Sequence, residues 1–157
     1  MNEYLTKLET NQVLSSNITY MDKSKVANPK LSYLIPVFNA LQDISTRAWS
    51  LNNIFDVLVI PKELEVFLFS FQVFGRIDDI PDGVNTTEFK LIYQDKSVVA
   101  TCEPLTGELV RGFVKFSAHF RLVKFQKPGK YHFEVTHNGV NLKGTDKFYF
   151  TVIKQNG

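Results

Sequence analysis

Apolar and polar residues alternate along the C-terminal third of the chain. From Val110 the even positions are Val110, Gly112, Val114, Phe116, Ala118, Phe120 and Leu122. The odd ones are Arg111, Phe113, Lys115, Ser117, His119 and Arg121. Successive side chains of a strand point to opposite faces, so this pattern predicts a strand over 109–124 with one apolar and one largely cationic face. Tyr131, Phe133 and Val135 alternate with Lys130, His132, Glu134 and Thr136, which predicts a second strand over 130–137. A third follows over 140–153. Asn138-Gly139 between the last two suits a type I′ turn, whose central residues both need positive φ. That turn sets Glu134 opposite Lys143 and Val135 opposite Leu142. The turn residues Gln126-Lys127-Pro128-Gly129 complete an antiparallel meander, in which Arg121 is expected to face His132 and His119 to face Glu134.

Shorter runs precede it. Leu31, Tyr33, Ile35 and Val37 alternate around Pro36, and a proline predicts an edge strand or a bulge. Residues 44–50 read as a short strand, Asn52-Asn53 as a turn, and 54–60 as a strand closed by Pro61. The most apolar run, 65–75, puts Phe67, Phe69, Phe71 and Val73 on one face and Val66, Leu68, Ser70, Gln72 and Phe74 on the other. The first row is assigned to the core. A strand apolar on both faces sits in a sheet centre or under a partner, so Leu68 and Phe74 are expected at a contact surface. Asp78 to Gly83 reads as a loop, 88–94 and 97–102 as strands, and Asp95-Lys96 as the turn between them. Residues 1–30 are polar, with a short amphipathic run at Tyr4, Leu5 and Leu8, and read as an arm ahead of a domain over 31–157. The prediction is an all-β fold: a single antiparallel β-sandwich of about eight strands, immunoglobulin-like or C2-like. Tyr131, two residues before the inward Phe133, stands where such folds keep a tyrosine corner.

Composition narrows the classes. A chain of 157 residues is expected to form one domain. No apolar run is long enough for a transmembrane helix. The N-terminus lacks the basic and apolar regions of a signal peptide, and the single cysteine, Cys102, has no internal disulfide partner. A cytoplasmic setting is therefore expected, and the acceptor patterns at Asn17 and Asn85 then have no glycosylation to direct. The net charge of +2 conceals an asymmetry: residues 109–157 hold 9 Lys/Arg against 2 Asp/Glu, and residues 1–108 hold 9 against 14. Such a split marks a basic surface that steers anionic partners, or solvated strand faces.

Three stretches carry a resemblance: Ile54-Phe55-Asp56 through Val59-Ile60-Pro61, the run from Val66 to Phe74, and Pro128-Gly129-Lys130-Tyr131-His132-Phe133-Glu134-Val135 followed by Asn138-Gly139-Val140. Across 31–153 the chain resembles small bacterial β-sandwich proteins of unknown function with an immunoglobulin- or C2-like core. The resemblance implies the fold and brings no catalytic motif with it.

The candidate chemistry is sparse. Cys102 lies in a strand-like run and reads as an inert buried thiol. His119, His132 and His137 fall on neighbouring predicted strands, but zinc needs three or four converging ligands and a cross-strand polar pair accounts for His119 more simply. Asp78, Asp79 and Asp82 suggest a calcium loop, yet calcium wants six to eight oxygens and the same residues serve a turn. No catalytic residue, metal site or cofactor is expected. The expectation is a non-enzymatic binding module acting through protein–protein interaction or self-assembly as a homodimer, with Leu68 and Phe74 at the contact. The alternative is a nucleic-acid- or anion-binding sandwich, using a basic face formed by Arg111, Lys115, His119, Arg121, Lys130 and Lys147, with Phe113 and Tyr149 among them for stacking.

Overall fold

The computed structural model describes residues 27–156. The expected arm, up to residue 26, and the amphipathic run within it lie outside these residues. The described chain is a sandwich of two sheets. Its strands are β1 Lys30–Gln42, β2 Trp49–Ile54, β3 Val57–Ile60, β4 Phe67–Ile80, β5 Gly83–Tyr93, β6 Val98–Thr101, β7 Leu105–Leu109, β8 Gly112–Phe125, β9 Gly129–His137, β10 Val140–Asn141 and β11 Tyr149–Lys154. One sheet has the order β2-β1-β4-β8 and the other β3-β11-β9-β5-β6, with β7 also on β5 and β10 also on β9. All of these pairs are antiparallel except β11 with β3.

The predicted meander does not form. β8 pairs with β4 in the first sheet, while β9 pairs with β5 and β11 in the second. Residues 126–128 are a corner between sheets. The Tyr131 hydroxyl donates to the Lys127 carbonyl at 2.7 Å and the Tyr93 hydroxyl to the Pro128 carbonyl at 2.9 Å, which supplies the expected corner tyrosine with a second one beside it. His119 therefore faces Gln72 across the sheet, and Glu134 faces Lys90, with which it makes an ion pair at 3.0 Å. The Asn138-Gly139 turn is as expected: φ is 49° and 77°, and Leu142 N–H donates to the Val135 carbonyl at 2.9 Å. The strand expected over 140–153 is broken by Gly144 (φ 72°) and a 3-10 turn, Thr145–Lys147.

Other boundaries move for local reasons. The Asp43 carboxylate accepts the backbone N–H groups of Ser45 and Thr46 at 3.0 and 2.7 Å, which folds residues 44–47 into a turn instead of a strand. Asn52-Asn53 is no turn but lies inside β2, with Asn53 at φ 53°. Residues 54–60 split because Phe55 turns into the core, carrying the chain from one sheet to the other. The Asp78–Ile80 stretch continues β4, leaving only Pro81-Asp82 as the turn. Pro36 sits in an inner strand, yet its carbonyl points to the β2 side, where it accepts Phe55 N–H at 3.1 Å. Its missing N–H points the same way, so the ladder to β4 is intact.

The core is aromatic. Phe71 stacks on Phe120 with centroids 5.2 Å apart and meets Phe150 edge-on at 5.6 Å. Phe89, Phe125 and Phe133 are fully buried around them. Of the three β4 phenylalanines assigned to the core, Phe71 is deep, while Phe67 and Phe69 are half-buried at one end. Gly75 has a steric role: a Cβ there would lie 2.4 Å from the Phe116 ring and 2.7 Å from Leu34 Cδ2.

Phe71→Ala is expected to cost about 3–5 kcal/mol in urea unfolding, and Phe69→Ala distinctly less, because only Phe71 leaves a closed cavity. Gly75→Ala should cost about 1–3 kcal/mol by overpacking against Phe116. A Phe69→Ala variant weaker than Phe71→Ala would contradict this arrangement.

Candidate functional site

The outward face of the four-stranded sheet is built from the parity of β4 and β8. In β8, Phe116, Ala118 and Phe120 point inward, so Phe113, Lys115, Ser117, His119 and Arg121 point out. At Leu122 the pattern breaks: φ is 49°, its N–H donates to Ser70 Oγ at 2.9 Å, and the register against β4 shifts. This is a bulge, which adds a residue and reverses parity beyond it. Val123 and Phe125 now point inward, and Leu122 and Lys124 stay outside. The expectation that Leu122 belongs to the apolar face is thereby corrected.

Phe74 is corrected as well. It is only 5% exposed. Tyr33 and Trp49 pack on it at 5.8 and 4.9 Å, and Val37 and Ala40 complete a small second core on the outside of this sheet. The Phe74 end of the second apolar row of β4 is thus covered from within the chain, by β1 and β2. Leu68 is 57% exposed and Leu122 70%. Beside this cluster Gln72 closes a polar contact set: its Oε1 accepts Ala40 N–H at 2.8 Å and Ser117 Oγ–H at 3.0 Å, and its Nε2 donates to Asn39 Oδ1 at 3.0 Å.

The predicted basic face divides in four. Lys115, His119 and Arg121 do share one face, joined by Arg76 and Lys124, which the sequence reading missed. Parity with Phe74 marks Arg76, and the odd apolar pair Val123 and Phe125 marks the parity switch that puts Lys124 outside. Arg111 lies in the β7–β8 turn, half-buried, with its N–H on Asp82 Oδ1 at 2.7 Å. Lys130 lies on the other sheet, its ammonium 4.2 Å from the centre of the Tyr149 ring. Lys147 lies in the 3-10 turn. Lys130 is parted from the others by the 126–128 corner, which sends β8 and β9 to different sheets.

The charges of the two outer faces differ in kind. On the second sheet Lys90 and Lys130 stand among Glu88, Glu134 and, on β7, Glu108. On the first, Arg76 binds Asp78 at 2.7 Å and lies 4.0 Å over the Phe113 ring. Ser32 and Arg76 hold the Asp78 carboxyl below its ordinary value. Lys115, Arg121 and Lys124 have no ion-pair partner among the described residues. They span roughly 30 Å along β8 by strand rise.

The remaining candidates have structural employment. Asp79 accepts Asn28 N–H at 3.0 Å, while Asp78 and Asp82 serve Arg76 and Arg111. Among the described residues no group of three His, Cys, Asp or Glu could hold a metal ion. Burial pushes the Cys102 thiol up to about 11. Asn85 is buried and its amide nitrogen donates to the Pro81 and Gly83 carbonyls at 3.1 and 2.8 Å. Its Oδ1 therefore faces His137 Nε2 at 3.1 Å, so that nitrogen carries the proton. Nδ1 then accepts the Thr87 hydroxyl at 2.9 Å.

No family model matches the chain, and no curated protein matches it. Among solved structures, it is similar to the Pseudomonas fluorescens alkylpurine DNA glycosylase AlkC bound to DNA containing an abasic site analog, with 12% identity and a TM-score of 0.45. The match covers 80% of this chain and 30% of that one. At that score the likeness carries nothing over to this chain. Among the described residues no helix is long and apolar enough to cross a membrane.

Burial holds the His137 imidazole below its ordinary 6.5. The unfolded chain binds this proton near 6.5 and the folded chain only at lower pH, so stability is full above 6.5 and is lost as pH falls toward the folded value. The melting temperature should begin to fall as pH drops below about 6.5, before the lowered carboxylates Asp43, Asp78 and Asp95 titrate. His137→Gln should flatten that slope; an equal slope in both proteins would place the titrating group elsewhere.

Proposed function

We propose that the chain is a non-enzymatic binding module that holds a polyanion along the outward face of β8. One observation carries the reading: Lys115, Arg121 and Lys124 share that face without an acidic partner among the described residues, whereas the outward lysines of the other sheet, Lys90 and Lys130, stand among Glu88, Glu108 and Glu134. Unpaired cations in a row attract a phosphate or sulfate backbone by releasing its counterions. Phe113 is the exposed ring on this face, and Arg76 already covers one side of it. Backbone contact therefore dominates over base stacking, and binding is indifferent to base sequence. The raised Cys102 thiol and the separate placement of the three histidines support a role without catalysis. A cytoplasmic setting goes with this reading, since Cys102 has no cysteine to pair with.

Fluorescence anisotropy with single-stranded DNA tests the reading. Three phosphate contacts predict a slope of log K against log salt of about −2. Replacing Lys115, Arg121 and Lys124 together by Glu should abolish binding with an unchanged melting temperature, and Lys130→Glu should leave it intact. Absence of salt-sensitive binding in the wild type, or equal loss in Lys130→Glu, contradicts the assignment.

A second reading, contact with a protein partner or a second copy, is favoured by Leu68 and Leu122, exposed beside Arg121 and Lys124. Light scattering across a wide dilution range should then show a larger species that Leu68→Glu dissolves. A strictly monomeric wild type removes the self-assembly form of this reading.

A further inference from the structure

A cavity of about 650 Å³ opens at the end of the sandwich where β1 begins and the β9–β10 turn lies. Its apolar lining is aliphatic: Pro29, Leu31, Pro81, Val140 and Leu142. Among the described residues, no aromatic ring other than the imidazole of His137 lines it, and neither does any carboxylate. The back wall is rigid, because His137 is held at both nitrogens by Thr87 and Asn85, and Asn138 braces Asn85 Oδ1 at 2.8 Å. Three lysines line the opening: Lys30, Lys143 and Lys147. None of them has an ion-pair partner among the described residues. The Lys147 side chain lies across Gly144, whose φ is 72°: a Cβ there would meet Lys147 Cε at 2.7 Å and Nζ at 3.3 Å.

The geometry points to this cavity as a binding site for an aliphatic carboxylate, with the hydrocarbon on the Leu31, Val140 and Leu142 side and the carboxylate among the three lysines. The volume lies in the range that takes a small organic ligand. An aliphatic lining accepts a chain without offering a ring for stacking. A lysine cluster without acids favours a negative head group through charge-assisted hydrogen bonds. None of the lining residues belongs to the cationic row of β8, so the site is separate from the polyanion face.

The test is an amide-resolved NMR titration of the full chain with decanoate, with decanol and inorganic phosphate as comparison probes. Saturable shifts are expected at Leu31, Val140, Leu142 and Lys143, with decanoate binding more tightly than decanol or phosphate. The Lys143→Glu, Lys147→Glu double variant should weaken decanoate about tenfold or more while changing decanol little. Lys30→Glu should weaken it by a smaller factor. Replacing Lys115, Arg121 and Lys124 by Glu should leave decanoate binding unchanged, which separates this site from the proposed function. The proposal is overturned by an absence of saturable shifts at the cavity residues. It is also overturned by equal affinity for decanoate and decanol, by phosphate binding as tightly as decanoate, or by undiminished affinity in the double lysine variant.

Discussion

The contact of Phe71 with Phe120 and Phe150 is the constraint that the rest of the structure depends on. Phe71 and Phe120 are cross-strand partners in one sheet, and Phe150 comes from the other. Rings at offset or edge-on angles fill the gap between sheets with rigid surface, and each buries a large apolar area. Once these rings point inward, alternation decides the face of their neighbours in β4 and β8. Lys115, His119 and Arg121 are outward because Phe116, Ala118 and Phe120 are not.

Two departures from regular alternation then shape the surface. The bulge at Leu122 lets Val123 and Phe125 rejoin the core, and in doing so exposes Leu122 and adds Lys124 to the cationic row. The β2 strand brings Trp49 over Phe74, which turns what would be an exposed aromatic into a small outer core. The same face thus withdraws Phe74 from its apolar patch and gains a longer line of charge. The cavity at the far end has a comparable origin. Gly144 and the 3-10 turn interrupt the chain between β10 and β11, and the interruption brings Lys143 and Lys147 to an opening lined by Leu31, Val140 and Leu142.

Much was legible in the residues alone. Period-two alternation in 112–121 and 130–137 defines strands whatever they pair with, because side-chain direction is a property of one strand, although the strand expected from 109 is broken by a turn at Val110-Arg111, where Val110 is exposed. Asn138-Gly139 specified its own turn, since few residue pairs tolerate positive φ twice. The Tyr131 corner was equally local, its hydroxyl reaching a carbonyl four residues upstream. The cationic character of β8 followed from its odd positions. These are short-range consequences of covalent geometry and burial, and they define an all-β sandwich.

Pairing was not legible. A turn such as Gln126-Lys127-Pro128 reverses the chain in the same residues whether it joins neighbours in one sheet or opposite sheets, so the sequence could not say that β8 and β9 part company there. That one ambiguity sent Lys130 to the other sheet, while the 3-10 turn after Gly144 took Lys147 to the rim of a cavity. The cover over Phe74 was hidden for a similar reason. Trp49 lies 25 positions away in the chain, and nothing local to either residue encodes the crossing of β1 and β2 that brings them together. Side-chain chemistry and strand direction were thus determined by the sequence itself, while the company each strand keeps depended on long-range packing, which only the tertiary structure decides.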